Sequence, residues 1–270
     1  MSLPLKITIL GCGSSGGVPR IGNDWGVCDP ENPKNTRTRC GIHILAHPDN
    51  TAASHSILID TPPELRQQLI RNNIKHVDTV LFTHDHADQT HGIDDVRVLA
   101  YSNRSQLPVY SNKETLDVLS KRFSYCFVQP KGSSYPPILK IMPAIKVYVP
   151  FDIGEEGASI EVLPLDQDHG RIRSLGFRIG DFAYCNDVVD LPERSLELLE
   201  GVKLLIVDTL RYTPHPTHAH LDKSLGWIER LTPEQAVLTN LHIDLDYDTL
   251  SAETPENVAV AYDGMTLVTS

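Results

Sequence analysis

The chain has 270 residues, of which 40% are hydrophobic and 22% are charged, as in ordinary soluble globular proteins. Its formal net charge of −11 at pH 7 argues against tight nonspecific binding to nucleic acid. The five cysteines form no CxxC pair, so we expect free thiols in a reducing compartment. No stretch approaches the ~18 consecutive apolar residues of a membrane span. The first residues resemble a strand rather than a signal peptide, so we expect a cytoplasmic location.

The chain begins with a strand-like segment and a glycine-rich turn. Lys6 to Leu10 predicts the strand, and residues 11–19 contain glycines that let the backbone approach a ligand closely. Ser14 in this turn is a candidate substrate-binding residue. The dinucleotide fingerprint GxGxxG fits the spacing, but Pro19 breaks the helix that this motif requires. A plain glycine-rich turn remains the alternative.

The elements that follow alternate between strand and helix. The pattern predicts strands over 41–46 and 56–60 joined by a polar loop, a helix over 62–73, a strand over 79–83, and helices over 94–102 and 113–123. Residues 125–150 are rich in proline and predict an extended connection or a flap. The second half predicts strands over 159–165, 175–179, 182–185, 203–207 and 236–239, helices over 191–199 and 221–231, and a closing hairpin of 258–261 and 265–268. No linker interrupts the chain, so we expect one domain over residues 1–270.

The most informative segment is 79–95, TVLFTHDHADQTHGIDD. Its apolar run ends at Phe82 and predicts a buried strand. His84, His86 and Asp88 then follow at alternate positions, so a near-extended chain would point their side chains the same way. Two imidazoles and a carboxylate that converge on one point are typical ligands of a divalent metal ion. The plain alternative is a polar loop that happens to be rich in histidine.

This segment resembles the HxHxDH signature of the metallo-β-lactamase superfamily, with Gln89 in place of the last histidine. The glycine-rich turn ending in Val-Pro and the stretches DVVDLPE (187–193) and YDGM (262–265) are similar to PhnP-type phosphodiesterases, which are relatives of RNase Z. The order of candidate ligands follows that family over nearly the whole chain. The resemblance implies an α/β fold of the α+β, four-layer kind: an αββα sandwich in which two sheets face each other with helices outside.

Carried over residue by residue, the resemblance implies a centre with two divalent metal ions, Mn²⁺ or Zn²⁺. His84, His86 and His169 would bind one ion, Asp187 would bridge both, and Asp88 would bind the second and take part in catalysis. A hydroxide that bridges the ions would be the nucleophile, because two cations lower the pKa of bound water.

The resemblance also implies a proton donor for the leaving group. His220 matches the histidine that faces the leaving group in PhnP-like enzymes, and it would donate to the departing alkoxide. Asp222 would either orient His220 or cap the following helix. We expect His215 and His218 to lie in a solvated polar loop.

Two residues that would bind the second metal ion differ from the family pattern. The family's histidines are replaced by Gln89 and Asn240, whose neutral amide oxygens suit Mn²⁺ better than Zn²⁺. We expect a weaker second site, with His242 as a substitute ligand, or with Gln89 and Asn240 contacting the substrate.

The resemblance also bears on a structural zinc. Several cysteines near residues 23–39 bind such a zinc in PhnP-type enzymes. Only Cys28 remains here, so we expect no structural zinc.

These expectations favour a metal-dependent hydrolase, namely a phosphodiesterase for a small nucleotide-like or cyclic phosphate ester. A tRNA 3′-processing endonuclease is disfavoured by the charge of −11 and the lack of a basic arm. A thiolester hydrolase and a non-catalytic metal-binding protein are further alternatives. We expect no membrane partner and no stable nucleic-acid complex, and we leave open whether the chain forms a homodimer.

Overall fold

The computed structural model describes residues 3–47, 54–154 and 158–269. Two seven-stranded sheets face each other, and helices cover the outer face of each. The expected αββα sandwich of α+β class is therefore confirmed. The polar loop predicted between the second and third strands falls mainly on residues 48–53, outside the described ranges.

Fourteen strands and eight α-helices lie in the described part of the chain. The strands are β1 (Leu5–Gly11), β2 (Gly41–Ala46), β3 (His55–Ile59), β4 (Thr79–Leu81), β5 (Leu107–Tyr110), β6 (Leu139–Ile141), β7 (Phe151–Ile153), β8 (Ile160–His169), β9 (Ile172–Ile179), β10 (Phe182–Cys185), β11 (Leu204–Asp208), β12 (Gln235–Thr239), β13 (Val258–Val260) and β14 (Thr266–Thr269). The helices are α1 (Leu65–Arg71), α2 (Ala87–Thr90), α3 (Arg97–Asn103), α4 (Lys113–Arg122), α5 (Ser124–Phe127), α6 (Glu193–Leu199), α7 (Leu221–Leu231) and α8 (Tyr247–Glu253).

The two sheets share one plan. The first has the order β14-β1-β2-β3-β4-β5-β6, and the second has the order β13-β12-β11-β10-β9-β8-β7. In the first sheet β1 to β3 pair antiparallel and β3 to β6 pair parallel. In the second sheet β7 to β10 pair antiparallel and β10 to β13 pair parallel. Each sheet thus gathers the carboxyl ends of parallel strands at one edge, where ligand sites commonly form.

Alternation of side chains along the strands divides the apolar residues between two cores. In β3, Ile57 and Ile59 join the core between the sheets, whereas Leu58 belongs to the cluster under the helices of the first sheet. In β4, Leu81 joins the core between the sheets, and Val80 belongs to the cluster under the helices. All five side chains are buried, and burying each stabilises the fold by about 1.5–3 kcal/mol. The sheet is consequently apolar and buried on both faces. This packing fixes β4, and with it the start of the loop that follows.

Helix α7 fixes the loop that precedes it. Leu221, Trp227, Ile228 and Leu231 are buried at helical spacing and join the core of the second sheet. The ends of the loop over 211–219 are tied by backbone hydrogen bonds, since the amide of Leu210 donates to Ala219 at 2.9 Å and that of Leu221 to Arg211 at 3.0 Å. The loop is therefore held above the end of β11.

The prediction of a closing hairpin was wrong. β13 pairs with β12 in the second sheet, and β14 pairs with β1 in the first. The alternating pattern identified both strands, but it carries no information about their partners. The structure also contains β5, β6, β7, α5 and α8, which were not predicted. Most of these elements have three or four residues, too few for a period to be recognised.

Candidate metal centre

Strand ends from both sheets bring the candidate ligands to one place. His84 follows β4 of the first sheet, while His169 ends β8 of the second. Asp187 follows β10, Asp208 ends β11 and Asn240 follows β12. The last three strands are parallel, so their carboxyl ends lie at the same edge of the second sheet. The amide of Leu175 donates to the carbonyl oxygen of Thr83 at 3.0 Å and joins the two sheets beside this edge.

The histidine side of the centre consists of His84, His86 and His169. One ring nitrogen from each lies within 4.8 Å of the others. Nδ1 of His86 is 3.3 Å from Nε2 of His169, and Nε2 of His84 is buried without a hydrogen-bond partner among the described residues. A buried imidazole nitrogen without a partner is costly unless it binds something. These nitrogens therefore fit a divalent metal ion such as Zn²⁺.

The outer nitrogens of these histidines are fixed by neighbours. Nδ1 of His169 lies 2.7 Å from the carbonyl oxygen of Thr217 and donates to it, which leaves Nε2 as the ligand atom. Nδ1 of His84 lies 3.0 Å from Oγ1 of Thr83, which donates to the Asp60 carboxylate at 2.9 Å. Such outer contacts orient metal-binding imidazoles and set their tautomer. Burial raises the pKa of Asp60 to about 8, against the opposing hydrogen bonds from Thr83.

Burial and mutual repulsion keep His84 and His169 neutral. Burial, followed by the neighbouring His169 and His86, holds the pKa of His84 well below its usual value. Burial and then the nearby His218 lower the pKa of His169 to about 4. Neutral imidazoles are the form that binds metal ions.

Asp187 and His218 extend the centre beyond the histidine side. With His169 they form a second group whose ligand atoms lie within 4.8 Å of one another. Oδ1 of Asp187 is 4.0 Å from Nε2 of His169 and 3.7 Å from Nδ1 of His218. Asn186 donates to the other carboxylate oxygen of Asp187 at 2.5 Å. Burial raises the pKa of Asp187 well above its usual value, because desolvation disfavours the charged carboxylate.

His218 forms a pair with the buried Asp208. Its Nδ1 lies 2.8 Å from Oδ2 of Asp208, whose carboxylate also accepts from the amide of Val188 at 2.9 Å and from Nδ2 of Asn240 at 3.0 Å. Burial lowers the pKa of His218, but the carboxylates of Asp208, Asp187 and Asp88 outweigh it and raise the pKa to about 9. His218 was expected in a solvated polar loop, whereas the structure places it at the centre. Asp208, at the end of a buried strand, was the signal that could have identified it.

Asp88 and the two amides lie on the remaining side, which we call the amide side (Asp88, Gln89, Asn240). Asp88 accepts a hydrogen bond from Nε2 of Gln89 at 3.3 Å, and the amide oxygen of Gln89 is buried without a partner among the described residues. The amide nitrogen of Asn240 donates to Asp208 and lies 3.0 Å from Nδ1 of His218. The described residues therefore show no imidazole on this side besides His218.

The chain matches a known family over more than half its length. The family described as "Beta-lactamase superfamily domain" matches residues 55–243. The chain belongs to this superfamily. A crystal structure described as a new diphosphatase from the PhnP family is 32% identical, with a TM-score of 0.87, and the match covers 100% of this chain and 98% of that one. The resemblance to PhnP-type proteins seen in the sequence is thus confirmed.

Two further matches bear on the function less directly. Zinc-bound PqqB from Methylobacterium extorquens is 17% identical with a TM-score of 0.73, over 97% of this chain and 99% of that one, so it shows the fold alone. An octanoyltransferase of Porphyromonas gingivalis is 33% identical over 266 residues, which are 97% of this chain and 51% of that protein. The chain spans about half the length of this curated relative. No helix in the described ranges is long and apolar enough to cross a bilayer.

Three further expected site residues belong to neither group of possible metal ligands among the described residues. His242 is not brought to the ligand groups, because its Nε2 contacts Arg20 and its Nδ1 lies 3.0 Å from Asp244. His220 occupies the N-cap position of α7 without a side-chain capping hydrogen bond, and it belongs to neither ligand group among the described residues. Ser14 is buried beside the centre, with its amide bonded to the carbonyl of Leu241 at 3.2 Å.

Cys28, the cysteine considered in the sequence for a structural zinc, lies in a small apolar cluster. Its thiol packs with Val18, Ile243 and Trp25 and lies 3.5 Å from the carbonyl oxygens of Ile243 and Leu245. Burial raises its pKa, which disfavours the thiolate that zinc requires. The expectation that this loop binds no zinc stays a prediction.

Proposed function

We propose that this protein is a metal-dependent phosphodiesterase acting on a small nucleotide-like or cyclic phosphate ester. The observation that carries the proposal is the position of the His218–Asp208 pair, 3.7 Å from Asp187 and next to the histidine side. A metal centre with an adjacent, oriented proton donor suits cleavage of an ester with a poor leaving group. The similarity to a PhnP-family diphosphatase supports this substrate class.

The histidine side would hold the more tightly bound of two metal ions in this proposal. His84, His86 and His169 would supply imidazole nitrogens, and Asp187 would supply a carboxylate. A second ion would be held more weakly by Asp88 and Asp187, because amides are poor replacements for imidazole. Divalent ions bound there would supply Lewis-acid charge to the phosphoryl oxygens and activate water.

The other residues orient the substrate and move a proton. His218 donates its proton to the departing alkoxide, and Asp208 holds the ring in the orientation that this transfer needs. Asn240 locks the Asp208 carboxylate in place through its amide nitrogen. His220, the donor expected from the sequence, is replaced in this role by His218, two residues earlier in the same loop.

The alternatives are weaker on specific grounds. A tRNA nuclease needs a basic surface for a polyanion, and the net charge of −11 opposes this. The octanoyltransferase name belongs to a protein about twice as long, so it is not carried over to this chain. A thiolate leaving group needs little help from an acid, and the His218–Asp208 pair would then have no purpose in a thiolester hydrolase.

The test combines metal analysis with substrate choice. The purified protein is assayed with bis-p-nitrophenyl phosphate and with a p-nitrothiophenyl ester, in the presence of Mn²⁺, Zn²⁺ or Mg²⁺. We expect hydrolysis of the phosphodiester that is abolished by a chelator and restored by metal. A metal-loaded protein that cleaves only the thiolester, or neither compound, contradicts the proposal.

A further inference from the structure

A group of buried polar side chains lies next to Asp187, where strands β8, β9 and β10 run side by side. We call it the supporting network (Gln167, Ser174, Asn186). Gln167 in β8 and Ser174 in β9 are register partners, and Asn186 follows β10. All three side chains are fully buried. Uncharged polar groups are costly inside a protein unless they are hydrogen-bonded, so the partners of these groups indicate what they do.

The hydrogen bonds of the supporting network run in one direction and end on Asp187. Nε2 of Gln167 donates to Oγ of Ser174 at 3.0 Å and to the backbone carbonyl of Asn186 at 2.8 Å. The Ser174 hydroxyl donates its single hydrogen to the backbone carbonyl of Asp187 at 2.7 Å, so it can only accept from Gln167. Nδ2 of Asn186 donates to Oδ2 of the Asp187 carboxylate at 2.5 Å. The network therefore holds both the backbone and one carboxylate oxygen of Asp187.

The backbone of Asp187 is in a conformation that needs such support. Its φ of 54° lies in the left-handed region, which residues other than glycine adopt at a cost and keep only where surrounding contacts hold them. Because Asn186 engages Oδ2, the other oxygen is left for the centre. Oδ1 lies 4.0 Å from Nε2 of His169 and 3.7 Å from Nδ1 of His218.

The neighbouring strand leaves room for the Gln167 side chain. Gly176 is buried in β9, and a Cβ at this position would lie 2.6 Å from Oε1 of Gln167 and 3.2 Å from the carbonyl oxygen of Tyr184. The first of these distances is too short for any real contact. The amide of Gln167 therefore lies against a strand position where only glycine fits without movement.

Stability alone would not favour the supporting network. Oε1 of Gln167 and Oδ1 of Asn186 are buried and have no hydrogen-bond partner within the described ranges. A polar cluster with unpaired acceptors is costlier than an apolar core of the same shape. The contacts that the network makes with Asp187 therefore point to a role at the metal centre.

We infer that Gln167, Ser174 and Asn186 are positioning residues that hold Oδ1 of Asp187 in place for a metal ion. Within the described part of the chain, none of the three belongs to a group of possible metal ligands, so they act through Asp187. The inference rests on the metal-binding part of the proposed function and does not depend on which ester is cleaved.

Ser174→Ala is the informative change, because it removes one hydroxyl and leaves the Asp187 carboxylate in the protein. Competition with a chelator measures the affinity for Zn²⁺, and urea titration measures the free energy of unfolding of the metal-free protein. We expect zinc affinity to fall about 10- to 100-fold, as is typical when a contact behind a metal ligand is lost. Gln167→Met keeps the length of the side chain without its donors, and it should cause a loss of the same order.

Ser195→Ala is the matched control. Ser195 is as fully buried as Ser174, and its hydroxyl donates to the backbone carbonyl of Asp166 at 2.6 Å, one residue before Gln167 in β8. The control removes the same kind of hydrogen bond without touching Asp187. Zinc affinity should therefore stay at the wild-type value in Ser195→Ala, even if the free energy of unfolding falls as far as it does in Ser174→Ala.

A second comparison shows whether Ser174 acts through Asp187. Asp187→Gly removes the carboxylate and tolerates the positive φ, so zinc should bind more weakly than in the wild type. In this background Ser174→Ala should cause no further loss of affinity, because its effect passes through the missing carboxylate.

The possible outcomes separate the positioning role from the metal centre itself. An unchanged zinc affinity in Ser174→Ala, an equal loss in Ser195→Ala, or a full further loss in the Asp187→Gly background would overturn the positioning role and leave the centre in place. A wild-type protein that binds no zinc would contradict the proposed function and the positioning role together.

Discussion

The histidine side and the amide side of the centre differ in how their polar atoms are engaged. On the histidine side, the ring nitrogens of His84, His86 and His169 face one another, and the outer nitrogens of His84 and His169 are held by Thr83 and Thr217. On the amide side, the nitrogen of Asn240 already donates to Asp208, and it lies 3.0 Å from Nδ1 of His218. The first arrangement is preorganised for a metal ion, and the second mainly supports a proton donor. We therefore expect unequal metal affinities within one centre.

The largest effect should follow from removing a ligand on the histidine side. His84→Ala deletes the buried nitrogen that has no hydrogen-bond partner in the described part of the chain, so the tightly bound ion should be lost. Loss of the charge that the ion supplies should lower kcat/KM roughly 10³-fold or more. Metal content by elemental analysis, together with the rate, checks this. His91→Ala, whose ring packs against Phe123 instead, is the control. Full metal content in the His84→Ala variant would contradict the expected difference in metal affinity between the two sides.

The next effect concerns the proton donor that the amide side supports. His218→Ala should slow esters with poor leaving groups by about 10²–10⁴-fold and p-nitrophenyl esters much less. His220→Ala, in the same loop, should leave both rates nearly unchanged. Comparing kcat/KM across leaving groups for both variants distinguishes the two histidines. The opposite result, with His220 essential and His218 dispensable, would return the role to the residue that the sequence favoured.

A smaller effect is expected from the residue that orients His84. Thr83→Val removes the hydroxyl between Nδ1 of His84 and the Asp60 carboxylate while keeping the shape of the side chain. Loss of such an outer contact should weaken metal binding by about 10- to 100-fold. A competition titration with a chelator measures the affinity. Thr79→Val in the same strand segment serves as the control, and equal affinities in the two variants would argue against preorganisation.

The mildest change should come from restoring imidazoles on the amide side. Gln89→His with Asn240→His adds two zinc-type ligands near Asp88 and Asp187, so the double variant should bind a second zinc more tightly than the wild type. The wild type should gain activity with Mn²⁺ instead. Zinc content measured after gel filtration checks this, with each single change as a control. Two tightly bound zinc ions in the wild type would show that the two sides are equivalent.

The strand and helix pattern could be predicted where the elements were long and periodic. Helix α7 was predicted with its observed bounds, and the β9–β10 hairpin was identified together with its turn. The short strands β5, β6 and β7 were missed because three or four residues carry too little periodicity. The pairing of β13 and β14 with different sheets could not be predicted, since strand partners depend on contacts between distant segments.

By itself, the sequence determined the superfamily, the sandwich and the histidine side of the centre. The reason is local for His84 and His86, because alternate positions after a buried strand point both imidazoles the same way. Asp88 lies in helix α2 instead of an extended chain, and it belongs to the amide side. Only the tertiary structure decided between His218 and His220 as the partner of Asp208, and turned the nitrogens of His242 away from the ligand groups toward Arg20 and Asp244. These outcomes depend on how an irregular loop is closed by backbone hydrogen bonds and on which distant side chains it meets, and neither leaves a period or a spacing in the sequence.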